Sequence, residues 1–272
     1  MQTDSPPHDP HALQGWEVLV TRPREQAEGL CHLIEQAGGH PVRFPTLDIV
    51  APEDTRVLDE QIARLDKYDL LIFISANAVQ WALNRIHRQG RIPDPVRLAA
   101  IGRASARALK EAGYRVDIYP DRQFNSEALL EMPEMQAMEG MNILIFRGEG
   151  GREHLAQELV RRGAQVEYAE IYRRVLPQTD TSQLLRHWAR NGIDAVTVTS
   201  NETLRNLYEM VGALGRQWLR NTPLVVLSDR MLQLAQELGI QGPVEIADQA
   251  SDEGIVAALC RLRKRMTTGK EL

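Results

Sequence analysis

Residues 68–83, "YDLLIFISANAVQWAL", carry the reading that decides the fold. An aspartate leads into a short apolar run, then a serine, then a polar turn that becomes a periodic apolar pattern. So short an apolar run, with no polar alternation, is a strand covered on both faces. A serine just before a helical pattern is an N-cap, so Ser75 opens the helix that runs on through Ala78. Residues 193–208, "IDAVTVTSNETLRNLY", repeat this corner: Asp69 and Asp194, and Ser75 and Ser200, stand 125 residues apart. The same offset relates "EVLVTRPREQ" at 17–26 to "NILIFRGEGG" at 142–151, Gly38 to Gly163, and Ser126 to Ser251. "RLAAIGRASARAL" at 97–109 answers to "PLVVLSDRMLQLA" at 223–235, slipped by one residue. One offset held across separate elements points to an internal repeat of about 125 residues.

Each unit of that repeat alternates short apolar strands with capped helices. Ser126 with Glu127 opens one helix, and Ser251, Asp252 and Glu253 give another an anionic start that suits its dipole. Gly38, Gly113, Gly163 and Gly239 close helices as left-handed C-caps. The expected class is α/β, with two doubly wound, flavodoxin-like or Rossmann-like parallel sheets. Read by itself, the repeat divides the chain into tandem units at roughly 16–132 and 141–262.

Composition narrows the function. The chain has 272 residues, 43% hydrophobic and 25% charged, which is ordinary for a globular protein with two cores. A net charge of −5 argues against nucleic acid as partner, and the one basic concentration, "RLRKR" at 261–265, reads as a solvated helix end. No apolar run reaches the roughly 18 residues of a membrane span. The first 15 residues, rich in proline and histidine, read as a disordered leader and not as a secretory signal. Cys31 and Cys260 sit in amphipathic helical patterns, as thiols of a reducing compartment do, so a cytoplasmic protein is expected.

In an open parallel sheet, ligands bind beyond the carboxyl ends of the strands, where helix amides point outward. Ser75 and Ser200 occupy such corners, so the amides of Ala76, Asn77, Asn201 and Glu202 are candidate anion donors; the Glu202 carboxylate opposes an anion there. Arg22 and Arg147 share one place in the repeat, after a first strand, where a guanidinium can pair bidentately with a carboxylate. "GRASAR" at 102–107 sets Gly102, Arg103 and Ser105 at another corner, and Ser126 opens a fourth. Two such rims lining one cleft suit a large polyanion. "RGEGGRE" at 147–153 is no phosphate loop: no Lys-Ser/Thr follows the glycines, and a dinucleotide fingerprint would need a third glycine in register. The seven histidines lack metal-ligand spacing, so neither metal nor nucleotide is expected. On this footing the chain is a two-domain α/β protein that binds something anionic in a cleft, open to reading as a ligand-binding or sensor protein or as a glycosyl or nucleotidyl enzyme.

Taken in order, "VLVTRP" at 18–23, "FISANAV" at 73–79, "AAIGRASARAL" at 99–109, "NSEALL" at 125–130, "ILIFRGEGGREHL" at 143–155, "VEYAEIYRR" at 166–174 and "DAVTVTSNETL" at 194–204 resemble the uroporphyrinogen-III synthases. The resemblance runs from about residue 16 to 262. It implies a cofactor-free enzyme of haem biosynthesis that dehydrates hydroxymethylbilane, closes the macrocycle and inverts the last ring through a spiro intermediate. It implies a different route for the chain: domain one from 16–45 and 175–272, domain two from 49–168, and a two-stranded bridge at 46–48 and 169–174, allowing a cleft that opens and closes. Tyr172, in "EIYRR", would be catalytic by helping the hydroxyl leave. Arg22, Ser75, Ala76, Asn77, Gly102, Arg103, Ser126, Arg147, Ser200 and Asn201 would bind substrate. "SDRMLQ" at 228–233 departs from the family's Gly-x-Thr-like turn, which puts any hydroxyl role at that corner in doubt. A monomer is expected, with transient contact to the preceding enzyme of the pathway.

Overall fold

The structure, a computed structural model, describes residues 9–120, 123–151, 153–190 and 192–268. It divides into two compact units, residues 1–48 with 175–272, and residues 49–174. The chain begins with β1 (Glu17–Val20), α1 (Glu28–Gln36) and β2 (His40–Arg43). Then follow β3 (Asp48–Val50), α2 (Arg56–Ala63), β4 (Leu70–Phe73), α3 (Ala76–Ile86), β5 (Arg97–Ala100), α4 (Arg103–Glu111) and α5 (Ser126–Glu131). The second unit closes with β6 (Asn142–Gly148), α6 (His154–Arg161) and β7 (Gln165–Val175). The return adds α7 (Ser182–Trp188), β8 (Ala195–Thr197), α8 (Asn201–Met210), α9 (Gly212–Leu219), β9 (Leu224–Val226), α10 (Asp229–Glu237), β10 (Val244–Ile246) and α11 (Asp252–Thr268). The tandem division is therefore not the one the contacts give. Local pattern locates a strand but does not say which sheet receives it.

The first sheet has the order β10-β9-β8-β1-β2 and the second β3-β7-β6-β4-β5. Pairing is parallel throughout the first and along β7-β6-β4-β5 of the second. In the first sheet β1 leads outward to β2 while β8 leads the other way to β9 and β10, so winding reverses between β1 and β8. In the second it reverses between β4 and β6. Such reversals leave a crevice at the carboxyl ends, because successive helices cover opposite faces.

Strand residues explain the two-sided cover. Along β4, Leu70 and Ile72 enter one apolar cluster while Leu71 and Phe73 enter the other. Along β6, Ile143 and Ile145 oppose Leu144 and Phe146 in the same way, and Phe73 stacks on Phe146 at 4.9 Å between centroids. Each such side chain, removed from water, contributes about 1.5–3 kcal/mol. Registers are pinned at the amino ends by two aspartates. Asp69 Oδ2 accepts the amide of Asn142 at 2.8 Å, and Asp194 Oδ2 accepts that of Glu17 at 2.8 Å.

Gly38, Gly113, Gly163 and Gly239 hold φ of 84°, 84°, 91° and 77°, the left-handed closures expected of them. Residues 1–8 of the expected leader lie outside the described residues. Its second half is held in place: Leu13 is fully buried, and its amide donates to Ala37 O at 2.7 Å. The basic end of α11 is also less free than a solvated helix end. Arg261 pairs with Glu245 and Asp248, Arg265 pairs with Glu245, and Arg263 donates to the carbonyls of His11 and Gln14. Among the described residues, no helix is long and apolar enough to cross a membrane.

Candidate active site

Arg22 and Ser200 stand at the winding reversal of the first unit and Ser75 and Arg147 at that of the second, whereas Gly102 and Arg103 follow β5, Ser126 opens α5 and Tyr172 lies on β7. In the first unit Arg22 follows β1 and Ser200 follows β8. Ser200 Oγ accepts the amide of Thr203 at 3.1 Å, and Thr203 Oγ1 accepts that of Ser200 at 3.1 Å, a reciprocal capping box. These bonds fix the start of α8 at Asn201. Asn201 opens α8, and its buried Oδ1 finds no hydrogen-bond partner among the described residues. Arg22 is ion-paired with Asp252, the first residue of α11. Gly29 of α1 makes room for that carboxylate, since a Cβ there would lie 2.6 Å from Asp252 Oδ2. Between the strands, Thr21 Oγ1 donates to Thr197 O at 2.8 Å and Thr197 Oγ1 to Leu19 O at 3.2 Å, tying β1 to β8 beneath the crevice.

In the second unit Ser75 follows β4 and Arg147 lies near the end of β6. Ser75 has the backbone of an N-cap, φ −158° and ψ 162°, almost that of Ser200 at −157° and 161°. Its Oγ accepts the amide of Ala78 at 3.0 Å, and Ala76 and Asn77 form the first turn of α3. Behind it lies Tyr172, 1% exposed, with its hydroxyl 3.4 Å from Ser75 Oγ. The two best-placed candidates of this unit are thus brought together, Tyr172 beneath and Ser75, half-buried, above.

A register shift delivers Tyr172 there. Arg147 pairs with Glu170 but Gly148 pairs with Tyr172, so Ile171 is an extra residue on β7. Strict alternation would send Ile171 and Tyr172 to opposite faces; with the bulge both enter the cluster that also holds Ala169.

Arg147 is 7% exposed and occupied. Nη2 donates to Glu170 Oε1 at 2.9 Å, Nη1 donates to Gly151 O at 3.2 Å, and the guanidinium lies 3.5 Å from the Tyr168 ring centroid. Arg147 Nε and Tyr168 Oη are buried with no hydrogen-bond partner among the described residues. Burial pushes the Tyr168 phenol above its usual pKa, opposed by the adjacent arginine. Ser126, Arg147 and Tyr168 share the wall of a cavity of about 260 Å³ that opens past the end of β4 at Ile74. Phe124, also in that wall, receives the Arg103 guanidinium at 4.9 Å and lies beside Gly102, the N-cap of α4. The expected cap of α5 is displaced by one: Asn125 accepts the amide of Ala128 at 2.8 Å and Ser126 is the first helical residue. A larger cavity, about 680 Å³, lies at the amino end of β5 beside Arg91 and Arg97, away from the candidate residues.

Glu170, Tyr168, Asp252, Asn125, Thr203 and Gly148 are neighbours to which sequence reasoning gave no part in the site, Asp252 being read only as part of a helix start. Asn125 and Thr203 carried a local signal, since each fits a capping pattern. The other four act across strands or helices and carry none. Among the described residues no cluster of three His, Cys, Asp or Glu side chains could hold a metal ion.

The fold and the site define a class: an α/β protein of two largely parallel-sheet units, each with a capped helix start and an arginine at its winding reversal. Comparison with known proteins makes this specific. The family profile described as "Uroporphyrinogen-III synthase HemD" matches residues 28–257. The uroporphyrinogen-III synthase of Salmonella typhimurium is 36% identical over 245 residues, 89% of this chain and 99% of that protein. That of Escherichia coli is 35% identical over 247 residues, 89% and 99%. This chain belongs to the uroporphyrinogen-III synthase family. Solved structures agree on the fold. A mutant uroporphyrinogen III synthase of the extremely thermophilic bacterium Thermus thermophilus aligns with a TM-score of 0.62 at 19% identity, covering 92% of this chain and 100% of that one. The uroporphyrinogen-III synthetase of Helicobacter pylori gives 0.58 at 14%, covering 91% and 99%.

Proposed function

We propose that the protein is a cyclising lyase that converts hydroxymethylbilane to uroporphyrinogen III. The observation that carries this is the family match over residues 28–257, with relatives aligned along 99% of their length. The bilane's hydroxyl leaves as water, and the last ring closes the macrocycle in inverted sense. Unassisted closure gives the type I isomer, so the protein's work is selection as well as acceleration. Holding the chain so that only one attack is in reach supplies this by orientation.

The substrate carries an acetate and a propionate on each ring. We assign the carboxylates to the helix starts: the amides of Ala76 and Asn77 with Gly102, Arg103 and Ser126 in one unit, and Ser200 and Asn201 in the other. Amides at a helix start carry a fixed partial positive charge and lose little entropy on binding. Arg22 and Arg147 already hold the carboxylates of Asp252 and Glu170, so a substrate carboxylate competes with those partners. Tyr172 aids departure of the hydroxyl in line with Ser75. A serine hydroxyl has two acceptor sites and one donor hydrogen. Ala78 N–H occupies one acceptor site, and when the Tyr172 O–H donates to the other, the Ser75 hydrogen is turned outward to the leaving oxygen. The protein works as a monomer in the cytoplasm, receiving its short-lived substrate from the preceding enzyme.

The test is a coupled assay. Freshly generated hydroxymethylbilane is incubated with pure protein and a chelator, oxidised, and the porphyrin isomers separated. The reading predicts type III product; type I alone from folded protein would contradict it.

A further inference from the structure

We infer that Gly148 is a positioning residue for this reaction: its missing side chain is the space in which the Tyr172 phenol sits. The inference rests on the catalytic reading of Tyr172 given above. A Cβ at Gly148 would lie 2.4 Å from Tyr172 Cε2, 2.7 Å from Cζ and 3.0 Å from the hydroxyl oxygen. Those atoms belong to a ring that is 1% exposed, seated in the core beside Ile171, and unable to swing aside without disturbing that packing.

Backbone conformation does not explain the glycine. Gly148 is not among the residues with positive φ, so any L residue fits the chain path there. It pairs with Tyr172 across the bulge, and the next amide, that of Glu149, donates to Tyr172 O at 2.8 Å. Both backbones are therefore fixed, and a methyl group at 148 must displace the ring. Moving Cε2 from 2.4 Å to an ordinary contact near 3.4 Å shifts the phenol by roughly 1 Å, the scale at which misplacement costs about a hundredfold in rate. The hydroxyl, 3.4 Å from Ser75 Oγ, then loses its partner, while the amides of α3 that bind carboxylates stay in place.

The experiment is Gly148→Ala measured beside Tyr172→Phe and the double variant, with hydroxymethylbilane as substrate. The expected result is kcat lowered about ten- to hundredfold in Gly148→Ala with KM within about twofold of wild type, and no further loss when Tyr172→Phe is added. A substitution that merely loosened the fold would add its effect to that of Tyr172→Phe and move KM as well. Gly148→Ala at wild-type kcat, with Tyr172→Phe slow, overturns the positioning role alone. Tyr172→Phe at wild-type kcat overturns the catalytic reading of Tyr172 and the positioning role together. If Gly148→Ala does not accumulate as folded protein, Gly148→Ala/Tyr172→Ala decides. Its stability is compared with that of Tyr172→Ala alone: no further loss on adding Gly148→Ala places the clash with the Tyr172 ring, and a further loss overturns the inference.

Discussion

Ser75 and Tyr172 offer a stability test that needs no substrate. Ser75→Ala removes the cap of α3, worth about 1 kcal/mol. It also takes the Ser75 contact from a Tyr172 hydroxyl whose residue is 1% exposed, which costs a further ~1–3 kcal/mol. The expected loss in the wild-type background is therefore about 2–4 kcal/mol. Tyr172→Phe deletes the hydroxyl but leaves Ser75 bonded to the Ala78 amide; the contact it removes is long at 3.4 Å, so about 1 kcal/mol or less is lost. In the Tyr172→Phe background no orphan remains, and Ser75→Ala costs only its cap, about 1 kcal/mol. The cycle predicts a coupling of about 1–3 kcal/mol. Urea denaturation followed by circular dichroism gives the four stabilities, and hydrogen exchange over Ala76–Ile86 checks that the loss falls on α3. Single-variant losses that add to within about 0.5 kcal/mol would refute the pairing of the two hydroxyls.

Three further outcomes are expected. Arg147→Ala removes two hydrogen bonds and the stack on Tyr168 while Glu170, partly exposed, can rehydrate; a loss of about 2–4 kcal/mol should appear in denaturant midpoint. Asp194→Ala should cost about 1.5–2 kcal/mol and Asp69→Ala about 1 kcal/mol or less by the same measurement, because Asp69 is exposed and water replaces its bond. The Arg161 and Arg162 guanidinium groups hold the Glu158 carboxyl down to about 2, and Arg162 donates onward to the carbonyls of Leu130 and Met135. A depressed pKa stabilises above the ordinary carboxyl range near ~4.3 and is lost as pH falls through about 2, so carboxyl NMR should find Glu158 ionised at pH ~3.

Much of this was legible in the chain because it is local. Ser75 and Ser200 announce their caps by residue type and spacing, and Leu70–Phe73 announces a strand covered on both faces. The four closing glycines announce their left-handed φ. What was not legible depends on which strand lies beside which. Arg147 reads as an open rim arginine until β7 brings Glu170 and Tyr168 against it. Gly148 reads as part of a glycine-rich turn until the bulge sets Tyr172 over it. The capping of α5 shifted by one because Asn125 and Ser126 are both good caps, and only the backbone distinguishes them. The route of the chain between units was also outside local pattern, since Thr21 beyond β1 meets Thr197 of β8 across a sequence separation of 176.

The central proposal is that the helix start of each unit receives carboxylates of the tetrapyrrole. It is tested most directly by amide NMR of the full chain titrated anaerobically with uroporphyrinogen III. The account predicts large shifts for the amides of Ala76 and Asn77 and, in the same titration with the same midpoint, for those of Asn201 and Glu202. Shifts confined to one pair, or two pairs saturating at different concentrations, would contradict it.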